Sequence, residues 1–117
     1  MSDPDLNDGD VPLVVLTTVG SDEQADGVAS ALVGERLAAC VNVVKGVTSI
    51  YRWEGKIARD EERLLVIKTT RARFDAVRER ILALHAYEVP EIVALPIVAG
   101  SEAYLDWLRG ETTAPRP

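Results

Sequence analysis

The chain is poor in the residues that support disulfide bonds, nucleophilic catalysis and soft metal sites. Its 117 residues include one cysteine, Cys40, one histidine, His85, and only 5% aromatic residues. A single cysteine excludes a disulfide framework within the chain. The sequence has no Ser-His-Asp order, phosphate-binding glycine loop or HExxH motif. We therefore predict that the protein is not an enzyme.

Basic patches and long apolar runs are also missing. The net charge of −6 comes largely from aspartates in the first ten residues, and the rest of the chain is nearly neutral. Without a basic surface we expect no nucleic-acid partner. No apolar run approaches the roughly 18 residues of a membrane span, and the acidic N-terminus is unlike a signal peptide. We expect a cytoplasmic protein with no membrane partner.

The length favours one domain. Residues 1–10 are predicted to be a disordered acidic tail, residues 11–110 a single folded domain, and residues 111–117 a flexible C-terminal tail. Hydrophobic periodicity predicts strands at 13–19, 38–44, 47–53, 64–69 and 92–98. Pro96 indicates a sheet edge or a strand end. Lys45-Gly46 is expected to stop a strand, and the charged residues 59–63 to form a solvated turn.

Helix signals lie between these strands. Ser21 and Gln24 have the spacing of a reciprocal capping box at the start of the first helix. Thr70 and Ser101 are plausible N-caps of the second and third helices. The apolar residues of the third are Tyr104, Leu105, Trp107 and Leu108.

The order strand, helix, strands, helix, strand favours an α+β, ferredoxin-like split βαβ fold. Both main helices then cover one face of the sheet and leave the other bare. Candidates for apolar residues on the bare face are Cys40, Val44, Ile50, Leu65 and Ile67. Because monomers rarely expose large apolar patches, we infer a homo-oligomer.

Residues 85–92, His-Ala-Tyr-Glu-Val-Pro-Glu-Ile, form the densest cluster of chemically active side chains. One interpretation is a metal site with His85 as the imidazole ligand, Cys40 as the thiolate, and Glu88 and Glu91 as oxygen ligands. The alternative makes His85 a helix C-terminal residue and Cys40 a core residue. Since copper or zinc sites usually take about three or four ligands, a metal site must be shared between subunits.

A second candidate site combines aromatic and basic residues. Tyr51 and Trp53 lie two apart on one predicted strand, with Lys56 and Lys68 nearby in the pattern. Together with Tyr87 they could line a pocket for an anionic ligand between subunits. Subunit packing alone would concentrate aromatic residues in the same way.

Several motifs together resemble the CutA divalent-cation tolerance family. They are Leu37-Ala38-Ala39-Cys40-Val41-Asn42-Val43, Ser49-x-Tyr51-x-Trp53-x-Gly55-Lys56, Ile67-Lys68-Thr69, His85-x-Tyr87-Glu88-Val89-Pro90-Glu91-Ile92 and Tyr104-x-x-Trp107. The resemblance implies a homotrimer with an extended β-hairpin that pairs between subunits. It also implies a role in tolerance of divalent metals, with copper bound by some members. Some bacterial members have cysteine at the position of Thr17 and histidine at that of Leu84.

The leading functional hypothesis is a trimeric cytoplasmic protein of divalent metal, in particular copper, tolerance. It requires no cofactor and binds Cu(II) or another divalent cation weakly between subunits. A second hypothesis, by analogy with PII signalling proteins, is a sensor that binds an anionic ligand between subunits. A third is a structural or scaffolding trimer.

Overall fold

A computed structural model describes residues 5–113, and residues 1–4 and 114–117 lie outside the described part. Its elements are β1 (Pro12–Val19), α1 (Asp22–Gly34), β2 (Cys40–Trp53), β3 (Lys56–Thr70), α2 (Arg71–Leu84), β4 (Val93–Pro96) and α3 (Glu102–Glu111).

The strands form one antiparallel sheet in the order β2-β3-β1-β4. In the unit β1-α1-β2, strand β3 lies between β1 and β2. In the unit β3-α2-β4, strand β1 lies between β3 and β4. This is the predicted split βαβ arrangement, and the α+β prediction is confirmed. Pro96 ends β4 at one edge of the sheet, as expected for a residue without an N–H.

The hydrophobic core lies between the sheet and helices α1 and α2. Val15 and Val19 of β1 face the helices, together with Leu65 and Ile67 of β3, and all four are fully buried. The assignment of Leu65 and Ile67 to the bare face is therefore wrong. Strand side chains alternate, and the paired register of β1 and β3 fixes these two residues on the core side.

The other sheet face leaves several apolar residues exposed within the described chain. Val44, Val93 and Leu95 lie on this face and are exposed. Cys40 and Val44 were correctly placed there. On α3, Leu108 is buried, whereas Tyr104 and Trp107 remain exposed.

Strands β2 and β3 form a hairpin that extends beyond the helices. Lys45-Gly46 does not end β2, because a bulge between Val44 and Val47 lets the strand continue. Gly46 has φ +74°, which glycine adopts without strain. The charged residues 59–63 also belong to β3 and not to a turn. Polar residues are tolerated on both faces of this strand segment because no helix covers it.

Thr70 and Ser101 occupy the N-cap positions of α2 and α3, as predicted. Neither Thr70 nor Ser101 makes a side-chain capping bond. At α2, the carbonyls of Val11 and Gly9 accept hydrogen bonds from the N–H groups of residues 71 and 72, at 2.9 and 3.1 Å. The chain before β1 thus supplies the acceptors that a capping side chain would otherwise provide.

The segments predicted as tails lie partly within the described residues. Residues 5–10 form turns, and Asp10 places its carbonyl 3.0 Å from Nε of Arg109. At the other end, Glu111 is the last residue of α3 and Thr112 is buried. The remaining tail residues, 1–4 and 114–117, are outside the described range.

Candidate functional site

The segment at residues 85–92 leaves the end of α2 and crosses the end of β1. His85 is the first residue after α2, and its Nε2 lies 2.7 Å from the carbonyl oxygen of Thr18. Its Nδ1 accepts a hydrogen bond of 3.0 Å from the N–H of Tyr87. Because Nδ1 accepts, the proton is on Nε2, which donates to Thr18. Both ring nitrogens are therefore engaged within the chain.

Gln24 of α1 fixes the start of this segment. Its amide nitrogen donates to the carbonyl of Leu84 at 2.9 Å, and its amide oxygen accepts from the N–H of Ala86 at 3.1 Å. Ser21 does accept the hydrogen bond of Gln24 N–H, as predicted. The returning half of the capping box is absent, because the Gln24 side chain satisfies the polar groups after α2.

Tyr87 connects this segment to the hairpin. Its ring centroid lies 4.6 Å from that of His85, and its hydroxyl donates to Oε2 of Glu62 at 2.8 Å. Gly20 permits this path, since a Cβ at that position would lie 3.0 Å from the Tyr87 hydroxyl oxygen. Burial, followed by the hydrogen bond to Glu62, raises the pKa of Tyr87 to about 12.

Glu62 is the unexpected member of the site. The sequence pattern predicted a solvated residue in a charge run, but Glu62 is only 5% exposed. Within residues 5–113, no Lys or Arg nitrogen pairs with it. No local signal could identify this burial, because it depends on Tyr87, which lies 25 positions away.

A cavity of about 580 Å³ opens between the hairpin and the segment after α2. Its lining is Thr18, Ser49, Ile50, Tyr51, Trp53, Asp60, Glu62, Tyr87, Glu88, Val89 and Glu91. Three of these side chains are aromatic and four are carboxylates. The Tyr51 hydroxyl donates to Asp60, and this hydrogen bond raises the pKa of Tyr51. We call this space the acidic-aromatic cavity.

The cavity brings together part of both predicted sites. Glu88 and Glu91, expected to bind metal, line it beside Tyr51, Trp53 and Tyr87, expected to line a ligand pocket. Lys56 and Lys68 are not part of the lining. Lys56 lies next to the hairpin turn. The Lys68 ammonium group donates a hydrogen bond to the Asn42 side chain farther along the sheet. The cavity charge is therefore opposite to that expected for an anion pocket.

The predicted metal ligands do not converge in one chain. Cys40 is the strand partner of Lys68 on β3, and Lys68 is the strand partner of Val14 on β1. Cys40 and Val14 therefore lie at the same position along the sheet. His85 contacts Thr18, about 13 Å farther along β1 at about 3.3 Å per residue. Across the described residues, no group of three His, Cys, Asp or Glu side chains could hold a metal ion. One chain thus does not fit a complete metal site.

Thr17 and Leu84, which the resemblance places where some bacterial family members have cysteine and histidine, have side chains that are not metal-binding nitrogen or sulfur ligands. Thr17 is fully buried, and its hydroxyl has no hydrogen-bond partner in the described structure. Leu84 packs partly against the core.

In the described range no helix is long and apolar enough to cross a membrane.

The fold defines a class of small α+β proteins with a split βαβ sheet and a projecting hairpin, and in this chain an acidic cavity lies beside that hairpin. The model of the family described as CutA1 divalent ion tolerance protein matches residues 13–111. The chain therefore belongs to the CutA1 divalent ion tolerance family.

Individual relatives agree with this assignment. The divalent-cation tolerance protein CutA of Thermus thermophilus is 61% identical over 99 residues, which cover 85% of this chain and 96% of the relative. A solved structure of the Thermus thermophilus protein has a TM-score of 0.86 at 59% identity, covering 87% of this chain and 99% of that one. The chloroplastic protein CutA of Arabidopsis thaliana is 47% identical, covering 86% of this chain and 55% of the relative.

Proposed function

We propose that the protein acts in divalent cation tolerance, copper included, as a cytoplasmic homotrimer that binds the ion weakly between subunits. The observation that carries the proposal is the pair Glu88 and Glu91, which line an acidic cavity next to His85. The role is one of binding and not of catalysis. Membership of a divalent ion tolerance family supports the same conclusion.

Two features favour association into an oligomer. The 14-residue strand β2 lies at a sheet edge, and a long unpaired edge is a template for pairing with another chain. The exposed apolar face containing Val44, Val93 and Leu95 also favours burial against a second copy. The edge strand β2 supports a subunit boundary that includes the hairpin lining the cavity.

The local geometry explains why binding should be weak and shared. Carboxylate oxygens bind divalent cations, and imidazole suits Cu(II). One subunit offers the Glu88 and Glu91 carboxylates, whereas the His85 nitrogens are already hydrogen-bonded. Coordination by His85 must displace the Tyr87 N–H from Nδ1, which reduces the net affinity. Groups of a neighbouring subunit would complete the ligand set.

Calorimetric titration with Cu(II) tests the site. We expect the double variant Glu88→Gln/Glu91→Gln to bind at least about tenfold more weakly, since hydrogen bonds and ion contacts to charged groups are lost. The variant His85→Ala tests the imidazole ligand separately. Glu54→Gln/Glu61→Gln is the matched control, because it also removes two charges from exposed hairpin residues that do not line the cavity.

The outcomes separate the parts of the proposal. Unchanged Cu(II) affinity in the Glu88/Glu91 variant would exclude the cavity as the metal site. Wild-type affinity in His85→Ala would remove His85 from the ligand set. A loss in Glu54→Gln/Glu61→Gln equal to that of the Glu88/Glu91 variant would show that only the net charge of the protein matters.

A further inference from the structure

The acidic-aromatic cavity has an unbalanced charge. Asp60, Glu62, Glu88 and Glu91 line it, and none pairs with a Lys or Arg nitrogen in the described part of the chain. The neighbouring cation, Arg63, pairs with Asp22 at 2.7 Å. Burying a carboxylate is costly unless it is both hydrogen-bonded and paired. Glu62 is buried with one hydrogen bond, from Tyr87, and a bound cation would supply its counter-charge.

The aromatic lining adds a second attraction for cations. Trp53 and the two tyrosines, Tyr51 and Tyr87, line the same space. Both tyrosine hydroxyls donate to carboxylates of the cavity, so the tyrosines stay fixed beside the acidic groups. Aromatic faces attract ammonium groups within about 6 Å, and tryptophan is the best of them. This combination differs from a plain carboxylate cluster.

The cavity has room for a ligand larger than a metal ion. At about 580 Å³ it lies in the range of small-molecule pockets, roughly 300–1,000 Å³. A metal ion held by Glu88 and Glu91 would occupy only a small part of this volume. An organic cation can contact the rings and the carboxylates together.

We infer that the cavity binds a small aliphatic amine with two or more ammonium groups. Carboxylates accept hydrogen bonds, so the ligand needs N–H donors, which quaternary ammonium groups lack. More than one positive charge is required to balance four acids. This goes beyond the proposed metal function, because it needs no metal, although the two ligands would compete for Glu88 and Glu91.

Calorimetry on the full chain, with spermidine as the probe and EDTA present, tests the inference. We expect saturable binding to the wild type and at least about tenfold weaker binding to Glu62→Gln and to Glu88→Gln. Glu61→Gln, with the same charge change on the same segment, should bind within about twofold of the wild type. Glu88 is exposed, so Glu88→Gln remains informative if Glu62→Gln fails to fold.

The two tryptophans provide a second readout with its own control. In the variant Trp107→Phe, the fluorescence reports Trp53 alone, and we expect it to change on titration with spermidine. Trp53→Leu should weaken binding, whereas Trp107→Leu, at a similarly exposed position outside the cavity, should not. Tetramethylammonium should bind more weakly than spermidine, because it has no N–H donor.

Three results would overturn the inference: no saturable binding of spermidine, an equal loss in Glu61→Gln and Glu62→Gln, or an equal loss in the two tryptophan variants. Failure here and failure of the metal proposal are distinguishable. Cu(II) binding without spermidine binding refutes only the amine site. Spermidine binding without Cu(II) binding refutes only the metal site.

Discussion

The hydrogen bond between Tyr87 and Glu62 couples the candidate site to the stability of the fold, and Tyr87→Phe removes it. The bond is 2.8 Å long, and its acceptor is 5% exposed. Hydrogen bonds to charged groups contribute about 1.5–3 kcal/mol. Because the Tyr87 residue is itself 39% exposed, we expect the variant to lose about 1–2 kcal/mol of unfolding free energy at pH 8.

The loss should depend on pH in a direction fixed by the pKa of Tyr87. Folding raises that pKa from 10.0 to about 12, so the unfolded chain releases the proton first as the pH rises. The stabilisation is complete below pH about 10 and disappears as the pH passes through about 12. Two pKa units correspond to at most about 2.7 kcal/mol, and exposure of the side chain reduces this to about 1 kcal/mol.

Urea denaturation of both proteins at several pH values between 8 and 11.5, at one protein concentration, measures this difference. Subtracting the two curves removes the pH dependence that the two proteins have in common. We expect the advantage of the wild type to decrease above pH about 10. A difference that is constant over the whole range, or that increases with pH, would refute the coupling between Tyr87 and Glu62.

Three further predictions concern the fold and its assembly. Thr17→Val should raise the unfolding free energy by about 1 kcal/mol in urea denaturation, because the buried hydroxyl has no partner in the described structure; a loss would contradict this. Val44→Asp should lower the mass measured by light scattering to that of a monomer. The control Val33→Asp should keep the wild-type mass, because Val33 lies on α1. Its exposure of 44% matches the 43% of Val44. Equal masses for both variants would contradict the proposed interface. Gly55→Ala should lower the thermal midpoint because Gly55 has φ +77°, whereas Gly27→Ala, inside α1, should raise it.

The sequence predicts the arrangement of the sheet because its main signals are local. The apolar run of β1 and the helical periodicity of α1 and α2 lie within short segments, and they suffice for the split βαβ order. The bulge at Lys45-Gly46 was missed, since a glycine beside a lysine is equally typical of a strand end. The projecting part of β3 was missed because it has no covered face to impose alternation.

The candidate site was only partly predictable for a related reason. Residues 85–92 attract attention because the single histidine and two glutamates lie together in the sequence. The burial of Glu62 and the position of Gln24 depend on contacts with residues 25 and about 60 positions away. Periodicity carries no information about such contacts. The two lysines expected in the pocket lie on β3, where Lys56 is the cross-strand partner of Trp53 at the hairpin turn and Lys68 lies near the other end of the strand. Neither lines the cavity.

The central claim is that the acidic-aromatic cavity, next to His85, holds a divalent cation between subunits. A crystal of the protein soaked in Cu(II), with anomalous data collected at the copper edge, tests this claim most directly. We predict an anomalous peak within coordinating distance of Glu88 or Glu91, with further ligands from a neighbouring subunit. A peak confined to other surface carboxylates, or no peak in the cavity at a saturating Cu(II) concentration, would contradict the account.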